Sequence, residues 1–356
     1  MKIVFDSLVF ALHKFGGVTT YWNEFIRRFK QDHSDLTILT VPAGKYLNDE
    51  FIQIHSGGIK LLPEKNWPLQ LLRNTSAPVA GLTAKFIFHS TYLRTSSNKN
   101  AINVVTIHDF THQFFVKGLK QLLNYRQKKD AIKNAHGIVC ISQNTLKDLY
   151  RFFPEAKEKL VTVIYNGCSD TYTSDVQTPP VVKTPEPYLL FVGARGNYKN
   201  FQFVVNVLRK SSYHLVVAGS KFTEEETKMM SEFGERVTLL NDLSDEKLRS
   251  LYQHAHAFIY PSLYEGFGIP LLEAMHCGCP VIAFNNSCIP EIMQDSPLLL
   301  ENDNLGGALD VLTKLETTKY REDVIASQRA NAKRFSWDKA HHEMKEFYQR
   351  CMDRTA

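Results

Sequence analysis

The chain has 356 residues, 44% of them hydrophobic and 22% charged, with a formal net charge of +5. This predicts about two ordinary globular domains, and the weak, mostly dispersed positive charge without a recognised motif argues against a nucleic-acid partner. No apolar run is long enough to span a bilayer, and the N-terminus leads straight into a strand pattern rather than a secretory leader. We therefore expect a cytoplasmic protein whose six cysteines are reduced.

The first predicted strand, Lys2 to Asp6, is followed by a loop that carries Gly16 and Gly17 and by a helix from Tyr21 to Phe29. A glycine pair at a helix N-terminus exposes backbone amides, which can face a phosphate or an acceptor sugar. The spacing differs from the Gly-x-Gly-x-x-Gly dinucleotide fingerprint, so a nicotinamide enzyme is disfavoured.

Further strands are predicted at 36–39, 86–88, 104–107 and 138–141. Between the first two of these lies an irregular segment with Trp67 and several prolines, which is expected to face an acceptor substrate. Polar residues follow two of these strands, at 89–91 and 108–112. Ligands of open α/β sheets gather beyond the carboxyl ends of the strands. The spacing of His108 and His112 would suit a metal only on a helix, so zinc is not expected in this loop.

A basic helix is predicted from 119 to 135, with leucines at 122 and 123 beside its lysines and arginine. Such a face can rest on anionic lipid at a membrane surface, or it can be a solvated helix face. Ser142 then suits the N-cap of the next helix.

A linker rich in Thr, Ser, Asp and Pro is predicted at 169–187, between a first domain at 1–168 and a second at 188–335. After the strand at 188–192, Arg195 and Lys199 precede a helix from Phe201 to Leu208. A basic pair beyond a strand end is well placed for a diphosphate, whereas a purely structural role near a helix start would oppose the helix dipole.

The stretch from Pro261 to Met275 joins two apolar runs that read as buried parallel strands, at 255–260 and 281–284. Its glycines allow a tight turn, and Pro270 suits the start of a helix. The backbone amides of this helix start favour an anion, and phosphate is the expected guest. The residues that we assign to this anion site are Gly268, Ile269, Leu271 and Leu272.

Two carboxylates flank the predicted anion site, Glu265 on the loop and Glu273 about one turn into the helix, with seven residues between them. Carboxylates beside a phosphate would repel it unless they bind hydroxyl groups, such as those of a sugar or ribose. The alternative is an ordinary βαβ unit with two solvated glutamates.

The segment Glu-Gly-Phe-Gly-Ile-Pro-Leu-Leu-Glu-Ala-Met, followed by Gly-Cys-Pro-Val-Ile, resembles the retaining, nucleotide-sugar-dependent glycosyltransferases of family 4. The resemblance implies an α/β fold of the GT-B type, with two Rossmann-like, doubly wound domains that face a central cleft. It also implies that a last helix, at 336–356, returns to the N-terminal, acceptor-side domain.

The resemblance extends to residues outside this motif. It implies that Gly16 and Gly17 border the active site, that His108 lies against the donor sugar, and that Arg195 and Lys199 bind phosphate. The segment containing Asn241 and Leu243 resembles the part of the family that supports the nucleotide base, largely through backbone groups, although relatives commonly have glycine at position 241. The implied catalytic residues are Glu265, His108, Lys199 and Arg195, and the implied nucleotide-sugar ligands include Glu273.

The resemblance implies transfer of a sugar, with retention, from a GDP- or UDP-sugar to a hydroxyl of a glycan or lipid-linked acceptor in bacterial surface polysaccharide or lipopolysaccharide synthesis. GDP-mannose is the favoured donor. The chain has no Asp-x-Asp triplet, the usual metal clamp of sugar nucleotides, so we expect no metal and no other cofactor. A GT-B-type nucleotide-sugar epimerase and a non-catalytic sugar-nucleotide-binding protein remain as alternatives, and the oligomeric state is not predicted.

Overall fold

The structure, a computed structural model, describes residues 1–13, 16–41, 59–64 and 68–355. In this part the chain divides into two compact units, the first formed by Met1–Asn166 with Trp337–Ala356 and the second by Gly167–Ser336. Each unit is built on a parallel β-sheet, so the predicted class of two Rossmann-like α/β domains is confirmed. Trp67, with much of the segment expected to face an acceptor, lies outside the described residues.

The first unit contains a seven-stranded parallel sheet in the described ranges, in the order β3-β2-β1-β4-β5-β6-β7. The strands are β1 Lys2–Asp6, β2 Asp35–Thr40, β3 Lys60–Pro63, β4 Phe86–His89, β5 Ala101–Ile107, β6 Gly137–Cys140 and β7 Leu160–Val163. The helices are α1 Leu8–Leu12, α2 Gly17–Gln31, α3 Leu69–Leu72, α4 Thr111–Phe115, α5 Leu119–Asn134 and α6 Gln143–Phe152, followed by a 3₁₀ turn at Pro154–Glu158.

The position of the ligand-binding edge in this sheet follows from the strand order. Every residue of β5 is buried, as expected for a central strand of a sheet covered on both faces. The order reverses between β1 and β4, which pair in parallel from Ile3 with Ile87 to Phe5 with His89. A ligand site is therefore expected beyond the carboxyl ends of these two strands, where their loops diverge.

The C-terminal helix, α14 Trp337–Arg354, belongs to the first unit and buries an aromatic and aliphatic face there. Its Tyr348 hydroxyl lies 2.7 Å from Nδ1 of His89, whose Nε2 lies 2.9 Å from Thr106 Oγ1. His89 is fully buried, which holds its pKa well below the usual value, so it is a neutral structural histidine. Gly137 in β6 lets this helix approach closely, because a Cβ there would lie 2.5 Å from Cys351 Sγ.

The second unit contains a six-stranded parallel sheet in the order β10-β9-β8-β11-β12-β13. Its strands are β8 Tyr188–Val192, β9 His214–Ala218, β10 Val237–Leu240, β11 Ala257–Tyr260, β12 Val281–Phe284 and β13 Leu299–Leu300. Its helices are α7 Phe201–Arg209, α8 Glu224–Met230, α9 Asp245–His254, α10 Ile269–His276, α11 Ile289–Met293, α12 Leu305–Lys314 and α13 Thr318–Ala332, with 3₁₀ turns at Asn197–Lys199 and Ser231–Arg236. The strand order reverses between β8 and β11, so the loops that follow these strands diverge from one point.

None of the described helices combines the length and apolarity needed to cross a membrane. All six cysteines are free thiols, and five of them are buried.

Candidate functional site

The loops that follow β8 and β11 meet through an ion pair between Lys199 and Glu265. Lys199 Nζ lies 2.6 Å from Glu265 Oε1, and the loops are also joined by a hydrogen bond from Leu263 N to Tyr198 O, 2.7 Å long. The two charged side chains are 16% and 11% exposed, so the pair is far less screened than an ordinary surface ion pair but can still be reached from solvent. The strand order thus brings together two predicted site residues 66 positions apart.

The backbone of Glu265 is fixed by the segment after β12. Its N–H donates to Ser287 Oγ at 2.9 Å, and the Cys288 thiol donates to the carbonyl oxygens of Glu265 and Phe267. Ser287 itself has a left-handed backbone, with φ +48°. A serine in this strained conformation holds the loop that presents Glu265, so Ser287 is a positioning residue.

Helix α10 begins at a left-handed glycine, as the predicted anion site requires. Gly268, its N-cap, has φ +101°, and a Cβ there would lie 3.0 Å from Leu271 Cδ1, so only glycine fits without strain. Leu271 N donates to Gly268 O at 3.0 Å. The side chains of Leu271 and Leu272 are fully buried and that of Ile269 nearly so, so any ligand contact in this first turn would come from the backbone.

Glu273 lies one turn into α10. Its Oε2 accepts a 3.0 Å hydrogen bond from the Tyr252 hydroxyl. Burial raises the pKa of the Glu273 carboxyl from 4.5 to about 7, with Asp245 adding to the rise and the Tyr252 hydrogen bond opposing it. This carboxyl is therefore poised between its two protonation states at neutral pH.

Arg195, the other half of the predicted basic pair, pairs with a different carboxylate from Lys199. Its guanidinium pairs with Glu226 in α8, with Nε 2.8 Å from Oε1, and donates to the carbonyl oxygens of Ser220 and Lys221. The side chain is 3% exposed, and within the described part of the chain its Nη1 has no hydrogen-bond partner. Glu226 also closes the capping box of α8 with Thr223, so Arg195 is built into the start of that helix.

Asn241 and Leu243 lie in the loop between β10 and α9. β10 is an edge strand, two strands away from β8, so this loop does not join the Lys199–Glu265 pair directly. Asn241 is exposed, and Asp242 has a left-handed backbone, with φ +49°. Ser244 caps α9 by accepting from Lys247 N.

In the first unit, a pocket of about 470 Å³ opens at the carboxyl ends of β1, β4 and β5. His108 borders it, with its ring edge-on to Tyr21 at 4.8 Å between centroids. Burial lowers the pKa of His108 to about 4, so the ring is neutral at pH 7. Other lining residues are Val9, Trp22, Thr91, Asp109, His112 and Lys128.

Gly16 and Gly17 form the N-terminus of α2, as predicted. Gly16 is exposed, has φ +146° and accepts hydrogen bonds from the hydroxyls of Thr19 and Thr20. Val18, the next residue along the helix, lines the same pocket as His108. The glycine pair therefore lies beside the pocket, although residues 14 and 15 before it are outside the description.

Two family models match this chain. The one described as "Glycosyltransferase Family 4" matches residues 15–171, and the one described as "Glycosyl transferases group 1" matches 177–331, so together they cover most of the sequence. The chain belongs to family 4 of the glycosyltransferases.

This family 4 chain is 30% identical over 238 residues to the O-antigen chain mannosyltransferase B of Escherichia coli, a match that covers 62% of each chain. The matched segment thus spans about three fifths of the relative's length. Among solved structures, the sucrose-phosphate synthase of Thermosynechococcus elongatus superposes with a TM-score of 0.78 at 17% identity, over 99% of both chains. HepE of Anabaena, solved in complex with UDP-glucose, superposes with a TM-score of 0.71 at 15% identity, over 98% of this chain and 99% of HepE. These likenesses show the GT-B fold.

Three residues of this family 4 chain that bear on the site were not identified from the sequence. Tyr252, the partner of Glu273, is a buried residue of α9, and in the sequence it cannot be distinguished from an ordinary core tyrosine. Ser287 follows a strand, and a polar residue in such a position is only a weak indication of a functional site. Lys128 was assigned to the basic face of α5, which is wrong for this residue: it is 4% exposed and lines the pocket beside His108.

Proposed function

We propose that this chain is a retaining glycosyltransferase that moves a sugar from a nucleoside diphosphate sugar to a hydroxyl of a glycan or lipid-linked acceptor. The observation that carries the proposal is the Lys199–Glu265 pair, a half-buried cation and carboxylate 2.6 Å apart at the reversal point of the second sheet, beside the glycine that starts α10. A cation and helix amides suit a diphosphate, and the carboxylates suit hydroxyl groups.

The proposed donor is a GDP- or UDP-sugar, with GDP-mannose favoured, and the proposed setting is bacterial surface polysaccharide or lipopolysaccharide synthesis. Two relatives support this: the similar E. coli protein is named as an O-antigen chain mannosyltransferase, and HepE was solved with UDP-glucose. The pocket beside His108 is the proposed acceptor site, and His108 is the proposed catalytic residue at its border.

In the proposed reaction the bond between the anomeric carbon and the diphosphate breaks, and a bond from that carbon to the acceptor oxygen forms on the same face. The acceptor proton passes to the departing phosphate oxygen. Lys199 and the amides of the α10 start stabilise the charge that grows on the diphosphate. Glu273 binds ribose hydroxyls. We assign Glu265 to a donor-sugar hydroxyl rather than to nucleophilic attack, because one of its oxygens already accepts from Lys199.

Binding is tested by a thermal-shift panel of nucleoside diphosphates and their sugars, because a ligand of the native state raises the melting temperature. At least one nucleoside diphosphate sugar should stabilise the protein, and Lys199→Ala should reduce that shift. Transfer is then measured with the bound donor and an acceptor glycan. Turnover of the donor without acceptor would indicate an epimerase, and binding without transfer to any acceptor would indicate a non-catalytic protein.

Catalysis without a metal is part of the proposal, since the second unit offers Lys199 and backbone amides as the positive groups for the diphosphate. Transfer should therefore persist after EDTA treatment and exhaustive dialysis. Loss of transfer with EDTA and its return with manganese would contradict this part of the proposal alone.

Contact with the inner face of the cytoplasmic membrane is also proposed, through α4, α5 and the turn between them. Large apolar side chains are exposed there, namely Phe114, Phe115, Leu119, Leu122 and Leu123, among lysines. Sedimentation with phosphatidylglycerol vesicles, compared with phosphatidylcholine vesicles, tests this contact. Binding to neither kind of vesicle would show that this face is simply solvated.

A further inference from the structure

The pocket in the first unit carries more positive charge than its own side chains neutralise. Among the residues that the structure describes, its charged lining consists of Arg73, Lys128 and Asp109. Burial lowers the pKa of the lining histidines, His13, His108 and His112, so they add no charge at neutral pH. The pocket therefore presents two cations and one carboxylate.

Lys128 is a buried cation, and no carboxylate of the described residues lies within ion-pair distance of its ammonium. Its Nζ donates to Asp109 O at 2.7 Å and Gln113 Oε1 at 2.9 Å, both neutral acceptors, and lies 4.5 Å from the centroid of the Phe110 ring. The ammonium has three N–H donors, so these two bonds leave one for another acceptor. Burial lowers the pKa of Lys128 to about 8, and the nearby Asp109 and Asp148 offset only part of that effect. An ammonium buried in this way is stabilised when an anion joins it.

Arg73 is the second cation of the pocket. Over the ranges that the structure describes it forms no ion pair, and its Nε is buried without a hydrogen-bond partner. Asp109, the carboxylate of the described lining, already accepts a 2.8 Å hydrogen bond from Thr111 N at the start of α4. In the described lining, two cations thus face a single carboxylate that already has a structural task.

We propose that this pocket selects an acceptor that carries an anionic oxygen group, phosphate or carboxylate, and that Arg73 and Lys128 bind that group. This inference rests on the proposed function, because it specifies the acceptor that the first unit would take. A volume of about 470 Å³ is enough for a sugar and its charged substituent. The indole of Trp22 also lines the pocket, whereas the hydroxyls of Ser90 and Thr91 beside it already donate to the Asp6 carboxylate.

The inference predicts that charge on the ligand decides binding. Isothermal titration of the full chain compares three probes, hexose 1-phosphate, hexuronic acid and neutral methyl hexoside, in low salt. At least one anionic probe should bind at least tenfold more tightly than the methyl hexoside, since hydrogen bonds between charged groups are the strong ones. Preference for the phosphate or for the uronic acid then identifies which of the two groups the natural acceptor carries.

Variants assign the anion to this pocket. Arg73→Gln should weaken binding of the anionic probe about tenfold or more, and Lys128→Met should do the same without leaving a buried amide. Lys129→Gln is the matched control, because it removes an exposed cation from the neighbouring position of the same helix and should change the affinity less than twofold. The melting transition of the first unit, measured on every variant, verifies that the mutated unit is folded, and binding of a nucleoside diphosphate verifies the second unit.

The outcomes separate the inference from the proposed function. Equal affinity for the charged and neutral probes, or no binding of the anionic probes, overturns the inference. Loss of anion binding in Lys199→Ala but not in Arg73→Gln also overturns it, because the anion would then lie in the second unit. Each of these results leaves the proposed function intact if nucleoside diphosphates bind, whereas no nucleotide binding to the wild-type protein is a failure of the proposed function itself.

Discussion

Replacement of Glu273 by glutamine should make the protein more stable above neutral pH. In the folded chain this carboxyl is partly buried in α10 beside the Tyr252 hydroxyl, and its pKa is raised from 4.5 to about 7. Glutamine keeps the size of the side chain and an oxygen that accepts from Tyr252, but it carries no charge. The substitution therefore isolates the cost of burying the carboxylate.

The sign and the size of the effect follow from linkage. Between pH 4.5 and 7 the folded state holds a proton that the unfolded state has lost, so the contribution of Glu273 to stability falls as the pH rises through this window. A rise in pKa from 4.5 to about 7 corresponds to roughly 3 kcal/mol, at about 1.4 kcal/mol for each pKa unit. Glu273→Gln should therefore be close to neutral near pH 4.5 and stabilising by up to roughly 3 kcal/mol at pH 8.

The assay is urea unfolding at pH 5 and pH 8, followed by a probe in the second unit so that its transition is observed separately. Glu225→Gln is the control, since it removes an exposed carboxylate from α8 and should change stability by no more than about 0.5 kcal/mol. Glu273→Gln should also bind nucleoside diphosphates more weakly than the wild-type protein does if Glu273 holds ribose hydroxyls. A difference between wild type and Glu273→Gln that is the same at both pH values would refute the reasoning.

Three further predictions concern the site and its support. Lys199→Ala should lower kcat roughly tenfold to a hundredfold, because one charge-assisted contact contributes on the order of 1.5–3 kcal/mol, and an unchanged kcat with the correct donor would exclude the role. Arg195→Gln and Glu226→Gln should both reduce the melting temperature of the second unit and affect kcat less than Lys199→Ala does, because their ion pair supports the start of α8. A loss of kcat in Arg195→Gln alone, at unchanged melting temperature, would instead support the prediction that Arg195 binds phosphate. Gly137→Ala should destabilise the first unit by about 1–3 kcal/mol, because the added Cβ would lie 2.5 Å from Cys351 Sγ. If the close approach of α14 is the cause, adding Cys351→Ala to this variant should recover part of the lost stability.

The fold could be predicted from the sequence because its central strands are short apolar runs, which stay recognisable when both faces of a sheet are covered. The edge strands β3 and β7 were missed. Lys60–Pro63 is mostly exposed and Leu160–Val163 is only half-buried, so neither shows the apolar signal of a central strand. The four-residue and five-residue helices α1, α3, α4 and α11 were missed as well, because a single turn has too few positions to show a period.

Part of the second-unit site could be predicted from the sequence, because its residues follow recognisable strands. Lys199 and Glu265 each follow a strand, and parallel strands that neighbour each other at the reversal point bring their following loops together. The ion pair of Arg195 depends on Glu226, which is 31 residues away and follows the next strand of the sheet. The sequence around Arg195 therefore could not predict this ion pair. Lys128 illustrates the same limit: the sequence of α5 shows a basic helix, but only the packing of that helix decides which lysine faces the pocket.

The two carboxylates of the second unit differ in how their charge is compensated, and that difference bears on their proposed roles. Glu265 has Lys199 as its counter-ion, so before a donor binds the site is already an assembled pair rather than two isolated charges. A diphosphate that approaches Lys199 adds a second anion to that pair, which is favourable only if Glu265 at the same time gains hydroxyl donors. A sugar attached to the diphosphate supplies those donors, whereas a free diphosphate does not. The pair should therefore discriminate the intact donor from the bare nucleotide, and Glu265→Gln should reduce this preference by binding a nucleoside diphosphate at least as tightly as the wild-type protein does. Equal weakening of both ligands by Glu265→Gln would show instead that Glu265 only positions Lys199.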